Sequence, residues 1–438
     1  MDKRKSHSPQ MAGDAVVGEF TIERLGAQGD GVVKDASLAG SPVFIPFTLP
    51  AERVRAVVDG ISGGARGRLV EVLNPSPDRI EPICRHFMEC GGCALQHVAV
   101  DAYGAWKRSL IIDAFAQRGI AAEVAPLVIT GAGSRRRAVM TALSTKDGVV
   151  LGFHGARDET VIDVEECAVL DARIVAALDD IHRILAVLPR WKGEARVNIV
   201  AADNGLDVAV SDAVDKGGLN AASSARVAEE AAKLSSLVRL SFDNTPVYLR
   251  AAPVLAMGKA HVNPPTGSFL QASAAAERAM MDAVIAAVPK KAKRAVDLFC
   301  GVGAFTFPLA EHVTVLAVDS DKQALQALES GARRATGLKP ISTLHRDLFR
   351  EPLSRKELES YDIAVFDPPR AGAKAQAEML AKSKVPIVVA ISCNPATLAR
   401  DARILIDGGY ELGTVTPIDQ FTWSAHVEVV AVFQRKAR

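Results

Sequence analysis

Apolar and polar positions follow two different rhythms along this chain, and the change falls near residue 269. Between Gly18 and Leu73 the text is a series of short β-rich runs divided by glycine: Phe20-Thr21-Ile22, Gly31-Val32-Val33, Pro42-Val43-Phe44-Ile45-Pro46, then 52–58 and 67–73. Their spacing predicts a small β-barrel of about sixty residues, a frequent oligonucleotide-binding shape that does not by itself fix the ligand. Polar residues 1–14 carry Gly and Pro without periodicity and read as a disordered tail. An amphipathic helix is expected over 101–118, and further strand pairs between Arg135 and Arg250. Of these, 197–201 and 206–210 flank Asn204-Gly205, a strong hairpin signal.

From about Phe269 onward helix and strand alternate, with strands expected at 295–299, 313–319, 342–344, 362–367, 387–392 and 427–433. That alternation predicts an α/β fold, a doubly wound and mostly parallel sheet. The chain therefore divides into a tail (1–14), a barrel (15–74), a central β-rich region (75–268) and an α/β domain (269–438).

Composition agrees with several domains, since 438 residues of which 49% are hydrophobic exceed what one core usually needs. No run of 18 apolar residues occurs, and the basic start Met1-Asp2-Lys3-Arg4-Lys5 lacks the apolar stretch of a signal peptide, so a cytoplasmic protein with no membrane association is expected. A net charge of +1 gives no basic footprint for the whole chain, so any nucleic-acid contact must be local. Lys3 to Lys5, Lys290 to Arg294 and Arg435 to Arg438 are short basic runs. The best candidate is Arg135-Arg136-Arg137, which directly precedes an apolar strand.

Of six cysteines, three form Cys84-x5-Cys90-x2-Cys93 and a fourth, Cys167, stands alone in an acidic context. Clustered cysteines in a cytosolic chain point to metal rather than disulfides, and four thiolates suit an iron–sulfur cluster or a structural zinc. Against zinc, the pairs lack the usual doubling of C-x2-C, although His86 and His97 are substitute ligands. Gly91 and Gly92 permit the tight loop that three ligands on one cluster face demand.

Candidate chemistry collects at the ends of the expected strands, where an open α/β sheet places its ligand crevice. Asp297-Leu298-Phe299-Cys300-Gly301-Val302-Gly303-Ala304 is a strand followed by a glycine turn; Thr306 stands where a dinucleotide fingerprint needs a third glycine. Asp319 ends the next strand, where an acidic side chain can hold ribose hydroxyls. Two glycines, an acid and no third glycine suit S-adenosylmethionine, which has no pyrophosphate to cradle; an NAD-type site is the alternative. Asp347 and Asp367 end two further strands, and Pro368-Pro369 stiffens the loop after Asp367 into a place to read a flat base. Cys393, in Ser392-Cys393-Asn394-Pro395, is a candidate nucleophile on a turn, whereas Cys300 lies within the cofactor turn. Glu428, in a strongly apolar final strand, either faces water at an edge or, if buried near Cys393, is a plausible general base.

Taken together these motifs resemble the RNA 5-methyluridine methyltransferases that use S-adenosylmethionine and carry an iron–sulfur cluster. The most specific marks are the four cysteines, Phe269-Leu270-Gln271, the Asp297–Gly303 stretch, Asp367-Pro368-Pro369-Arg370, Ser392-Cys393-Asn394-Pro395 and His426-Val427-Glu428. The resemblance implies an N-terminal TRAM barrel, a [4Fe-4S] cluster on Cys84, Cys90, Cys93 and Cys167, and a class I methyltransferase domain on which residues 98–125 pack. It further implies a cofactor site at Gln271, Phe299, Gly301, Ala304, Asp319, Asp347 and Asp367, with Cys393 as nucleophile and Glu428 as base. Two departures matter: members often have Asn at the place of Ala304, and Asp319 stands where the longer Glu is frequent. The expected partner is RNA, with 23S ribosomal RNA favoured over transfer RNA and no obligate protein partner. A cytosine-C5 methyltransferase usually places Pro immediately before its nucleophilic Cys, whereas Pro395 follows here. A non-catalytic RNA-binding iron–sulfur protein is opposed by the presence of Cys393, Glu428 and Asp367 together.

Overall fold

β1 (Val16–Thr21) and β2 (Arg24–Leu25) are successive stretches of one bent strand, and that bend lets a single sheet wrap back on itself. β1 pairs with β5 (Arg53–Asp59), which leads through β6 (Arg66–Asn74), β4 (Val43–Ile45) and β3 (Gly31–Val33) to β2, so both ends of the strand order are the same piece of chain. Alternate residues point inward, and Phe20, Ile22, Val43, Ile45, Val54, Ala56 and Val58 fill the interior. Buried Glu52 accepts hydrogen bonds from the amides of Leu49 and Ser76 and from the Arg79 guanidinium, which fastens the segment after β6 to the sheet.

The computed structural model describes residues 16–33, 42–59, 65–214 and 218–436; the tail at 1–14, with Lys3 to Lys5, lies outside them. The described chain forms two compact units. One draws on residues up to 88, 92–106 and 423–425, and the other on 89–91, 107–422 and 426 onward. The wrapped sheet belongs to the first.

The second unit contains two large sheets. α1 (Val100–Ala116) enters it at Lys107, and β7 (Val128–Ile129) follows. A seven-stranded sheet then runs in the order β10-β9-β8-β11-β12-β13-β14, built from β8 (Arg137–Ser144), β9 (Val149–His154), β10 (Val161–Asp163), β11 (Glu194–Ala202), β12 (Gly205–Ser211), β13 (Leu237–Phe242) and β14 (Thr245–Leu249). Helices α2 (Ala172–Val175), α3 (Leu178–Ala186) and α4 (Ala221–Lys233) accompany it. The β11–β12 hairpin turns at Asp203-Asn204, one residue earlier than the Asn204-Gly205 signal, because Gly205 already pairs with Ala202. The Asn204 side chain instead bonds Ala252 and Val254. A small hairpin, β15 (Leu255–Met257) and β16 (Ala260–Val262), leads into α5 (Ala274–Ala286).

The α/β part is an eight-stranded sheet in the order β19-β18-β17-β20-β21-β23-β22-β7. Its strands are β17 (Arg294–Leu298), β18 (Thr314–Asp319), β19 (Ile341–His345), β20 (Ile363–Phe366), β21 (Ile387–Ser392), β22 (Tyr410–Asp419) and β23 (Glu428–Arg435). Neighbours from β19 to β21 are parallel, while β23 runs antiparallel to both β21 and β22. Helices α6 (Thr306–Ala310), α7 (Lys322–Arg334), α8 (Arg355–Leu358), α9 (Lys374–Lys382) and α10 (Pro395–Asp407) connect them. Two pieces escaped the pattern reading. β22 mixes exposed and buried positions over its first half, and β7 has two residues that join the sheet edge beside β22. Ile111, Phe115, Ile120 and Val124 enter the same core as Val296, Phe366 and Phe433.

The change of rhythm at 269 falls inside this unit, and Arg136 ties the stretches before and after it together. Its guanidinium pairs with Glu277 on α5 at 2.6 Å and donates to the Gln271 carbonyl at 3.1 Å, with both charged side chains almost fully buried. The Arg135–Arg137 triplet is therefore not a solvated basic patch. Arg136 is structural, and Arg137 is largely buried with its guanidinium 4.9 Å from the exposed Phe269 ring.

Lys107 is fully buried. Its ammonium reaches Asp419 Oδ1 at 2.5 Å and the carbonyls of Phe421 and His426 at 3.0 and 2.6 Å, holding the backbone on either side of the turn from β22 to β23. Burial pulls its pKa down and the Asp419 carboxylate opposes that. Removing one partner strands the other charge away from water. Lys107→Met should lower the unfolding free energy by about 3–5 kcal/mol, read as a fall in the urea midpoint. Adding Asp419→Leu should recover most of the loss; an unchanged midpoint in the single variant would show that the pair carries no stability.

Candidate active site

The strand order reverses direction at β17. From there the chain proceeds outward through β18 and β19, then returns to lay β20 and β21 on the other side, which opens a crevice at the carboxyl ends of β17 and β20. A cleft of about 570 Å³ occupies that position, and Gln271, Phe299, Gly301, Asp319, Asp367, Cys393 and Glu428 all line it. Residues separated by up to 157 positions in the chain thus meet around one space.

The turn after β17 is shaped by two unusual conformations. Phe299 has φ +63°, a left-handed backbone that a bulky residue adopts only where its surroundings impose it. Gly303 has φ +104°, and a Cβ there would meet the Phe307 ring at 2.7 Å, so glycine is required. Thr306, the residue that departs from a dinucleotide fingerprint, donates through Oγ1 to the buried Asp297 at 2.5 Å and fastens the start of α6 to β17. Burial raises the Asp297 pKa to about 7.

Asp319 ends β18 with both carboxylate oxygens engaged. One accepts from the Gly301 amide and the other from the Asp321 amide, each at 2.8 Å, which fixes the carboxylate at the cleft wall. A Cβ on Gly301 would meet nothing within 4 Å, so this turn faces open space. The rings of Phe299 and Phe349 lie 5.4 Å apart beside it.

Asp367 and Glu428 are two carboxylates of the site. The Gln271 amide donates to Asp367 Oδ2 at 2.7 Å; Gln420 Nε2 donates to Gln271 Oε1 at 2.8 Å and to Glu428 Oε2 at 2.9 Å. Burial raises Asp367 to about 7 against the bond from Gln271. Glu428, 2% exposed, is pushed well above the carboxylate range by burial and then by Asp367, with the Gln420 bond opposing. The edge-facing alternative for Glu428 is thereby excluded. Gln420 gave no signal in the sequence, because an amide after a strand is ordinary turn composition.

Cys393 and Glu428 are brought together by register. Ser392 on β21 pairs with Val429 on β23, so one further step along the antiparallel pair sets Cys393 opposite Glu428. Asn394 caps α10, its side chain accepting from the Ala396 amide and donating to the Arg370 carbonyl, which joins the two turns. Burial, then the charges of Glu428 and Asp367, push the Cys393 thiol up to about 11, with Arg370 opposing. The N-terminus of α10, beginning two residues on, favours the thiolate. Cys300 is buried in the core between turn and helix, and burial, then the charges of Asp297 and Asp319, raise its pKa well above the ordinary thiol value.

Two expected cofactor residues are not among the side chains lining the cleft. Ala304 packs against the apolar core beneath the sheet, as its methyl group dictates. Asp347 accepts from the Phe349 amide at 3.0 Å and pairs with Arg350, so its carboxylate serves its own turn while Phe349 lines the cleft.

Cys84 and Cys93 belong to the first unit, Cys90 and Cys167 to the second; all are half-buried, and none of the six cysteines forms a disulfide. Gly91 lies against the backbone of His154 and Gly155, where a Cβ would meet the Gly155 carbonyl at 2.8 Å. Among the described residues, no group of three or more His, Cys, Asp or Glu stands ready to hold a metal ion. No helix among them is long and apolar enough to cross a membrane.

Residues 248–436 match the family model for tRNA (Uracil-5-)-methyltransferase. A protein of Brucella suis named as an uncharacterized RNA methyltransferase is 47% identical over 424 residues, covering 95% of this chain and 98% of its own length. The 23S rRNA (uracil(1939)-C(5))-methyltransferase of Shewanella halifaxensis is 32% identical over 412 residues, covering 91% and 92%. Among solved structures, the tRNA (uracil-54, C5)-methyltransferase of Pyrococcus abyssi in complex with S-adenosyl-L-homocysteine superposes with a TM-score of 0.72 at 21% identity, covering 95% and 99%, a likeness of fold.

Proposed function

The chain belongs to the RNA (uracil-5-)-methyltransferase family, and on that premise we propose that it methylates C5 of a uridine in 23S ribosomal RNA through a covalent bond between Cys393 and uracil C6. The observation that carries this reading is the meeting of Cys393, Glu428 and Asp367 in one cleft, with nucleophile and base opposed across β21 and β23.

S-adenosylmethionine supplies an electrophilic methyl group on a sulfonium. Gln271, Phe299, Gly301, Asp319 and Asp367 would hold it, and the fit rests on the open turn at Gly301, the fixed Asp319 carboxylate and the half-buried Asp367 carboxyl, whose ionisation a cation favours. Uracil C5 is too weak a nucleophile to take that methyl group unaided. The Cys393 thiolate adds to C6, and the C5–C6 π electrons move into an enolate through C4 and O4. C5 would then take the methyl group, its bond to the methyl carbon forming as the carbon–sulfur bond breaks with the electron pair kept on sulfur, so that S-adenosylhomocysteine is the leaving product. Glu428 accepts the C5 proton, and the electrons of that C–H bond restore C5–C6 as the Cys393–C6 bond breaks. Cys393 leaves as thiolate, with 5-methyluracil as product.

The target base must leave its stack to reach Cys393. Exposed Phe269 and Phe349, with Arg137 and Arg370 near them, give the cleft aromatic and cationic groups that suit a splayed base and its phosphates. The six-stranded sheet of the first unit supports reading residues 15–74 as an RNA-binding TRAM barrel. Preference for 23S RNA rests on the relative at 32% identity, and the description of the family model favours transfer RNA as the second reading.

The [4Fe-4S] assignment to Cys84, Cys90, Cys93 and Cys167 rests on the chemistry and spacing of four thiols, and no catalytic step is routed through it.

A strain lacking the gene should lose one 5-methyluridine from 23S RNA by mass spectrometry while its transfer RNA content stays constant; loss from transfer RNA alone would reverse the substrate assignment. Glu428→Gln should accumulate a protein–RNA adduct that survives denaturing electrophoresis, because methylation proceeds and elimination stalls; full turnover by the variant would remove Glu428 from the role of base. Anaerobic purification should yield a brown protein with about four irons per chain, and stoichiometric zinc without colour would overturn the cluster.

A further inference from the structure

Two amides stand between the carboxylates of the cleft, and one of them is only partly used. Gln420 is 3% exposed and follows β22 directly. Its Nε2 donates to both Gln271 Oε1 and Glu428 Oε2, while its Oε1 is buried without a hydrogen-bond partner. The neighbours fix which way the amide points. Gln271 spends its own N–H on Asp367 and so presents Oε1 towards Gln420, and Glu428 presents a carboxylate oxygen. Gln271 therefore requires N–H from Gln420, and turning the amide over would set oxygen against oxygen there. The result is a fixed, acceptor-only atom on a residue that lines the cleft with Cys393 and Glu428. A buried carbonyl oxygen left without a donor is costly and rare, so it marks where a donor on a ligand belongs.

In RNA a uracil ring carries one N–H, at N3, between the acceptors O2 and O4. With C6 at Cys393 and C5 facing Glu428, N3 is reached by continuing round the ring past C4. Gln420, bonded to Glu428, is the next polar side chain along the same wall. We propose that Gln420 Oε1 accepts the N3–H of the uracil that reacts with Cys393, which makes Gln420 a specificity-determining residue. This rests on the reading of the cleft as a uracil-C5 methyltransferase site. Cytosine presents a lone pair at N3, and the fixed oxygen repels it.

The test is a binding cycle in the full chain carrying Cys393→Ala, so that ring reactivity does not enter. The probe is an RNA fragment that the wild-type chain methylates, with its target uridine either intact or replaced by 3-deazauridine, which exchanges N3–H for C–H. With Gln420 present the replacement should weaken binding about tenfold, the scale of one hydrogen bond. In Cys393→Ala/Gln420→Met it should change binding less than about twofold, because the interaction is already gone. Gln420→Asn, which draws the oxygen back while keeping an amide, should show the same insensitivity and serves if the Met variant fails to fold. Equal weakening with and without Gln420 would overturn the assignment. Absence of any uridine methylation by the wild-type chain would instead overturn the proposed function, so the two failures are distinct.

Discussion

Two carboxylates in one cleft, Asp367 and Glu428, set the terms for the rest of the site. Glu428 is buried and Asp367 half-buried, and the Asp367 charge raises the cost of ionising Glu428, so an empty cleft holds them reluctantly as anions. Gln271 and Gln420 relieve the strain by donating to them, and the surroundings are arranged to keep those amides in place. Arg136 holds the backbone of Gln271 from one side; Lys107, through Asp419 and the carbonyls of Phe421 and His426, holds the backbone around Gln420 from the other. Two buried ion pairs far from any bond-making step thus serve to position the charges that face a substrate.

That electrostatic poise has a chemical use. Cys393 is a poor thiolate beside two carboxylates, and Arg370 and the N-terminus of α10 act in the opposite sense. A cation entering the cleft favours ionisation of Asp367, Glu428 and Cys393 at once. Fixed dipoles and charges in a water-poor site act more strongly than they would in solution.

The sheet topology explains why these groups are available to one another. Parallel strands from β19 to β21 send their loops to one edge, where the reversal of order at β17 leaves room for a ligand. The antiparallel return of β23 then brings Glu428 back to the same edge, opposite Cys393. A strand added in parallel would have delivered its first residue to the far edge of the sheet, away from Cys393.

Short β-rich runs divided by glycine located β3 to β6 of the first sheet, overlapped β1 only at Phe20-Thr21 and missed β2, and the β–α rhythm after residue 269 located the α/β sheet except β7 and β22, since burial on one or both faces leaves its mark on neighbouring residues. Strand-end acids and the Cys393 turn were legible for the same reason: a polar residue after an apolar run is a local signal. Hidden from the sequence were contacts made at long separation. Lys107 reads as a surface lysine on an amphipathic helix until Asp419, 312 positions away, is seen beside it. Arg136 reads as part of a basic patch until Glu277 is found, and Ala304 and Asp347 sit near the site without lining it. The sequence by itself determined which residue types stood at which strand ends. Only the tertiary structure decided which of them share a cleft, which way the Gln420 amide points and how far Glu428 is buried, because burial, register and amide orientation are set by neighbours that the chain brings together only on folding.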